Sequence, residues 1–229
     1  MSRHEQSELD NPVWHSLNQQ QAAYALSYTN LKCYHPDYCP FGGYEATSDI
    51  ADDLDAYAKL VANFYIVGHK PIHSKRLVLQ KELVCLQMTI DRKIDFPGLE
   101  PITHLDTSHA NDLYELVNLV QPGYFKNKTG LLGDYYGIVD EGRLVAVTGE
   151  RMKMNDFTEV SAVVTHPAYT GKGLAKQLIA HTVNRIFDKN KQPFLHVAEA
   201  NTRAIELYKK SGFSTRRKIS FWNFEKRIG

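Results

Sequence analysis

Apolar positions recur every three or four residues in some stretches of this chain and every second residue, or without a break, in others. The switches between those patterns mark its elements. Trp14, Leu17, Ala22, Tyr24 and Ala25, following the start signal Asn11-Pro12, predict a helix over 11–26. Residues 33–44 hold Pro36, Pro40, Gly42 and Gly43 among aromatic side chains and predict an ordered irregular loop. Ser48 is placed to cap a helix over 49–62 on which Ile50, Leu54, Tyr57, Leu60 and Val61 share a face. Residues 64–67 and 77–90 read as strands, and Pro97-Gly98 then divides the chain into a first lobe, 1–97, and a second, 98–229.

In the second lobe the order is regular. A short strand over 102–105 precedes a helix over 108–120 whose Leu113, Leu116, Val117 and Val120 make one apolar stripe, and a glycine-bearing loop fills 121–133. Asp140-Glu141-Gly142 joins strands over 135–139 and 143–152 as a hairpin. Further strands are expected over 159–165, 194–197 and 219–224, with helices over 173–187 and 202–211 between them. Strands and helices in that order predict an α/β (α+β) chain.

Composition narrows the function by exclusion. Lys plus Arg number 27 against 26 Asp plus Glu, so the net charge of +1 supplies no general field for nucleic acid or an anionic membrane surface. An anionic ligand has to be held by local geometry. No apolar run reaches the length of a membrane span, and Cys33, Cys39 and Cys85 are too few and odd in number for a disulfide framework, so a cytoplasmic setting is expected. Cys33, His35, Asp37 and Cys39 are the types that bind zinc, but their spacing is not that of a finger and no second pair exists, so no metal is expected.

The chemistry is carried by residues 163–175, where an apolar strand ends in His166-Pro167-Ala168-Tyr169-Thr170-Gly171-Lys172-Gly173 and feeds a helix beginning Leu174-Ala175. Successive backbone NH groups at such a turn, reinforced by the helix dipole, form an anion cradle, and glycine permits close approach. The same turn can also be a plain strand-to-helix connection. Neither the spacing of a phosphate-binding NTPase loop nor that of a dinucleotide fold is present. Downstream lies Asn201-Thr202-Arg203-Ala204-Ile205-Glu206-Leu207-Tyr208-Lys209-Lys210-Ser211-Gly212-Phe213.

Together, and in this order, the segment 170–175 resembles the pyrophosphate loop, Arg/Gln-x-x-Gly-x-Gly/Ala, and the segment 201–213 the second hallmark of the GNAT acyltransferases, in their FR47-like branch. The resemblance covers about 101–229, and the segments around Gly149-Glu150-Arg151, 157–161 and 194–197 are similar to two-lobed bacterial members, as are 11–14 and 36–41. Thr170 departs from the pattern, standing where Arg or Gln is usual.

The resemblance implies a GNAT fold with a central mixed, splayed sheet flanked by helices, plus a first α/β lobe that is a degenerate GNAT-like half. It implies acetyl-CoA as donor, with Val163, Val164, Thr165, Thr170, Gly171, Lys172, Gly173, Leu174, Ala175 and Asn201 around it. A backbone NH near Val163 or Val164 would face the thioester carbonyl, Tyr208 would protonate the leaving thiolate, and Glu159, or second Glu150, would take the amine proton. Each has a plainer alternative: a core tyrosine, a solvated strand-end carboxylate and a structural ion pair. Asn201 serves equally as a helix cap, and His196 reads as a satisfied core histidine. The implied acceptor is a primary amine of a small molecule, amino acid or peptide, attacked directly in a ternary complex, and a homodimer is compatible with the pattern. A glycine N-acyltransferase-like enzyme and a non-catalytic acyl-CoA-binding or sensing module share the same motifs.

Overall fold

The computed structural model describes residues 7–98 and 100–227; the first six of the polar leading residues and Leu99 of the expected second lobe lie outside them. In chain order the elements are α1 (Pro12–Asn18), β1 (Ala25–Ser27), β2 (Leu31–Tyr34), β3 (Phe41–Tyr44), α2 (Ala51–Tyr57), β4 (Asn63–Val67) and β5 (Leu77–Thr89). Then come β6 (Thr103–Leu105), α3 (Ala110–Val120), β7 (Tyr135–Asp140), β8 (Arg143–Lys153), β9 (Phe157–Thr165), α4 (Leu174–Asp188), β10 (Gln192–Ala198), α5 (Thr202–Lys210) and β11 (Ser214–Lys226). The strands form one mixed sheet in the order β1-β2-β3-β4-β11-β5-β10-β9-β8-β7-β6.

That order runs through two similar halves, of five and six strands, with their last strands exchanged. In the first half β3 and β4 are parallel with α2 between them in sequence, and in the second β9 and β10 are parallel with α4 between them. β5, which ends the first half, pairs with β10 of the second, while β11, which ends the second, pairs with β4 of the first. The two exchanged strands are themselves antiparallel neighbours from Ser214↔Thr89 to Lys226↔Leu77. One sheet therefore runs across the division expected at 97/98, and the first half resembles the second in strand order.

Three expectations on the first half give way to tertiary contacts. The helix over 11–26 stops at Asn18, and Gln21 beyond it is a buried link between the halves. Its Nε2 donates to the carbonyls of Leu132 (2.9 Å) and Arg151 (2.6 Å), and its Oε1 accepts from Ser16 (2.6 Å) and Tyr34 (2.5 Å). The loop over 33–44 contains two strands, with the prolines confined to their connection. A Cβ on Gly43 would lie 2.7 Å from the Trp14 nitrogen, so glycine here seats α1 on a fully buried strand. The helix over 49–62 is shorter than expected, Ala51–Tyr57, and Ser48 does not cap it.

The halves also differ where it matters for an anion. α2 has seven residues and follows Glu45 and Asp49 with Asp52 and Asp53 in its first turn, whereas α4 has fifteen and follows Gly171 and Gly173 with no acid in its first turn. Negative side chains at a helix N-terminus repel an anion, so of these two helix starts that of α4 is the one open to an anion.

Candidate active site

β9 and β10 pair only at Gln192↔Phe157, Pro193↔Thr158 and Phe194↔Glu159, then part. On β9 the separation coincides with a bulge: Val164 pairs with Val147 and Ser161 with Gly149, so Ala162 and Val163 together face Thr148. Ala162 takes φ 49°, a conformation L residues adopt at a cost of about 1–2 kcal/mol, and the bulge turns β9 away from β10. Beyond Glu159 and Phe194, therefore, the facing NH and C=O groups of the two strands have no ladder to join.

The gap opens into a cavity of about 720 Å³. At one end is the start of α4. Gly173, at φ 80°, precedes the helix without a side-chain cap, and the first helical bond is from the Gln177 NH to the Gly173 carbonyl (3.2 Å). The NH groups of Leu174, Ala175 and Lys176 thus have no partner within the helix, and all three residues line the cavity together with Gly171 and Gly173. Gly171, at φ 82°, likewise adopts a backbone that glycine alone takes readily.

Of the residues expected around a donor, Val163, Val164, Thr165, Thr170, Gly171, Gly173, Leu174, Ala175 and Asn201 all line this cavity. Lys172 does not; its ammonium is turned over the Tyr169 ring, 4.5 Å from the centroid. Thr170 donates to the Pro167 carbonyl (3.1 Å), so the hydroxyl at the departing position is used within the loop. Asn201 Oδ1 accepts from the Ala204 NH (3.1 Å), capping α5. Two cations that sequence reasoning missed, Lys176 and Arg203, face the cavity instead. A signal existed: each stands in the first turn of a helix, where the dipole disfavours a cation unless an anion is to be shared.

Tyr208, on α5, lines the cavity with its hydroxyl making no hydrogen bond among the described residues, and its ring packs edge-on against Phe213. Burial, and then the charge of Glu159, pushes the phenol above its ordinary value, so it stays protonated at neutral pH.

Glu159 and Glu150, the candidates for taking the amine proton, are both held in buried ion pairs. Glu159 receives a bidentate pair from Arg151, with Nε and Nη2 each 2.7 Å from a carboxylate oxygen, and its Oε1 lies 2.8 Å from His196 Nδ1. Burial alone would raise its carboxyl; the Arg151 charge and hydrogen bonds overcome that and hold it at about 2. A carboxylate so depressed, with both oxygens taken up by Arg151 and His196, is a weak base. Glu150 is fully buried and absent from the cavity wall, and binds Lys189 (2.7 Å) and Lys153 (3.0 Å). Adjacent strand residues point to opposite faces, so Arg151 facing the cavity puts Glu150 on the other side.

His196 is a satisfied core histidine. Arg216 donates to Gln87 Oε1 (2.9 Å), which leaves the Gln87 amide NH2 facing His196 Nε2 at 3.1 Å. Nε2 therefore accepts, and Nδ1 carries the proton given to Glu159. Cys33 and Cys39 fall in different core clusters, and no group of His, Cys, Asp or Glu suited to a metal occurs among the described residues. Nor is any helix among them long and apolar enough to cross a membrane.

Residues 135–222, from β7 into β11, match the family model described as FR47-like protein. A crystal structure of a GNAT-family protein from Novosphingobium aromaticivorans DSM 12444 is 30% identical, aligning over 96% of this chain and 99% of its own with a TM-score of 0.86. This chain belongs to the GNAT family. GNAT proteins are acyl-CoA-dependent N-acyltransferases.

Two more distant GNAT structures share the fold over nearly the whole chain. A GCN5-related N-acetyltransferase-like protein from Streptococcus suis 89/1591 is 16% identical, with a TM-score of 0.65 over 98% of this chain and 97% of its own. A GCN5-related N-acetyltransferase from Kribbella flavida is 11% identical, with a TM-score of 0.62 over 94% and 93%. No curated protein matches the chain in sequence.

Proposed function

We propose that this GNAT protein transfers an acetyl group from acetyl-CoA to a primary amine by direct attack in a ternary complex. The observation that carries the reading is the unpaired stretch of β9 and β10 opening beside the free NH groups of α4. Those amides, with Lys176 and Arg203, suit a diphosphate, and the open strand edges suit the amides of a pantetheine arm. Bound acetyl-CoA would supply an activated acyl group as a thioester.

The remaining roles belong to the chain's own groups. The bulge at Ala162 redirects the following backbone, and the NH of Val163 or Val164 is assigned to the carbonyl oxygen as it gains negative charge. Tyr208, buried and protonated, gives its proton to the departing sulfur. Neither Glu159 nor Glu150 takes the base's part; Glu159 fixes Arg151 and His196 in the wall. Residues 98–229 would supply the donor cradle and 1–97 much of the acceptor wall.

The test is thiol release from acetyl-CoA with an amine panel, together with Tyr208→Phe. The variant is expected to lower kcat by about 10²-fold or more, the range for a lost general acid, with the donor Kd changed less than about twofold. Undiminished kcat would remove Tyr208 from the mechanism, and absence of release by the parent protein would favour an acyl-CoA-binding module.

A further inference from the structure

The cavity passes through the sheet and has two unlike sides. Tyr208 packs with Leu195 and Val197 on the face covered by α4 and α5. Phe194 belongs with Phe41, Cys85 and Phe221 to the cluster on the other face, against which Leu83 and Tyr124 pack. Alternation along β10 is what separates them. The donor cradle lies at the start of α4, so the second face is the way in for an acceptor.

That face is built of rings. Phe41 stands edge-on to Phe221 at 5.3 Å and to Tyr65 at 5.9 Å, and Tyr124 lies 5.5 Å from Tyr65 and 6.3 Å from Phe41. Leu83, Cys85, Val120 and Pro122 complete an apolar wall. No Asp or Glu lines the cavity among the described residues. Its charged side chains are Lys176 and Arg203, at the donor end, and Arg151, whose guanidinium lies 4.8 Å from the Phe41 centroid and is neutralised by Glu159.

A carboxylate-bearing acceptor such as an amino acid would find no unpaired cation on this face, and desolvating it there would go uncompensated. A flat apolar body would gain burial and edge-on or offset ring contacts. Resting on the acyl-transfer reading above, we infer that the acceptor is an aryl or arylalkyl amine, bound against Phe41, Tyr124 and Phe221 and reacting as the neutral amine. As the C–N bond forms and the C–S bond breaks, a neutral amine loses one proton and the thiolate gains one. Tyr208 donates to sulfur and recovers a proton from the nitrogen, directly or through water, and no separate base is consumed.

Thiol release from acetyl-CoA is compared for 2-phenylethylamine, glycine and a tripeptide with a free N-terminus, in the parent protein and in Tyr124→Ala and Phe221→Leu. The expected kcat/KM for 2-phenylethylamine exceeds those of the other two by at least about tenfold. At least one variant that melts like the parent is expected to raise its KM severalfold while the acetyl-CoA Kd stays put. Glycine or the tripeptide used as well as the aryl amine, or variants that bind and turn it over unchanged, would overturn the acceptor class and leave acyl transfer standing. Donor binding with release from none of the amines would overturn both.

Discussion

Residues 98–229 expressed alone are expected to give no cooperatively folding protein, although they contain both motifs and all of the proposed donor cradle. β5 lies between β10 and β11, bonded to β10 from Phe194↔Thr89 to Ala198↔Cys85 and to β11 along its whole length. Removing 1–97 strips both ladders from the centre of the sheet and leaves β11 without β4. Unpaired central edges and the exposed faces of Ile219, Phe221 and Phe224 favour aggregation over folding. Because the exchange is reciprocal, mixing 1–97 with 98–229 is expected to restore a dispersed amide spectrum and one melting transition. A sharp thermal transition in 98–229 by itself would show that the halves are independent.

Replacing Glu159 with Gln is expected to be the most damaging single change. It keeps the shape but leaves the buried Arg151 charge without its bidentate partner, which costs about 3–5 kcal/mol. For a chain of this size that corresponds to a fall in Tm on the order of 10 °C. The double change Arg151→Met with Glu159→Leu is expected to recover much of the loss, because no lone charge remains.

Acid should act on the parent protein by the same route. The folded Glu159 carboxyl, at about 2, is depressed below its ordinary 4.5, so its stabilisation is complete above about pH 4.5 and lost as pH falls toward 2. The amount is about 3 kcal/mol, and Glu159→Gln should lack it. Melts of the three proteins between pH 7 and pH 3 check both statements; equal Tm for parent and Glu159→Gln would contradict them.

What the sequence shows and what it hides follow from the range of the interactions. Asp140-Glu141-Gly142 is a local signal, and the hairpin forms with Glu141 at φ 47° and Gly142 at φ 75°. The turn into α4 is equally local: its glycines announce positive φ, and the apolar residues Leu178, Ile179, Val183 and Ile186 that seat the helix repeat at its own period. β3 is misleading for the opposite reason, since Gly42 and Gly43 have the look of a loop until α1 and Cys33 press against them. The exchange of β5 and β11 leaves no local trace, because both strands keep the same pattern whichever half they join. The role of Glu159 is hidden in the same way: its position before the motif reads as that of a base, while Arg151 and His196 reach it from neighbouring strands.

Amide-resolved NMR during titration with CoA tests the donor site most directly. The account predicts saturable shifts that are largest at 171–176, with smaller ones along 160–165 and 195–198, and little change at the start of α2. Shifts centred elsewhere, or no saturation at millimolar CoA, would contradict a diphosphate held by the bare amides of α4.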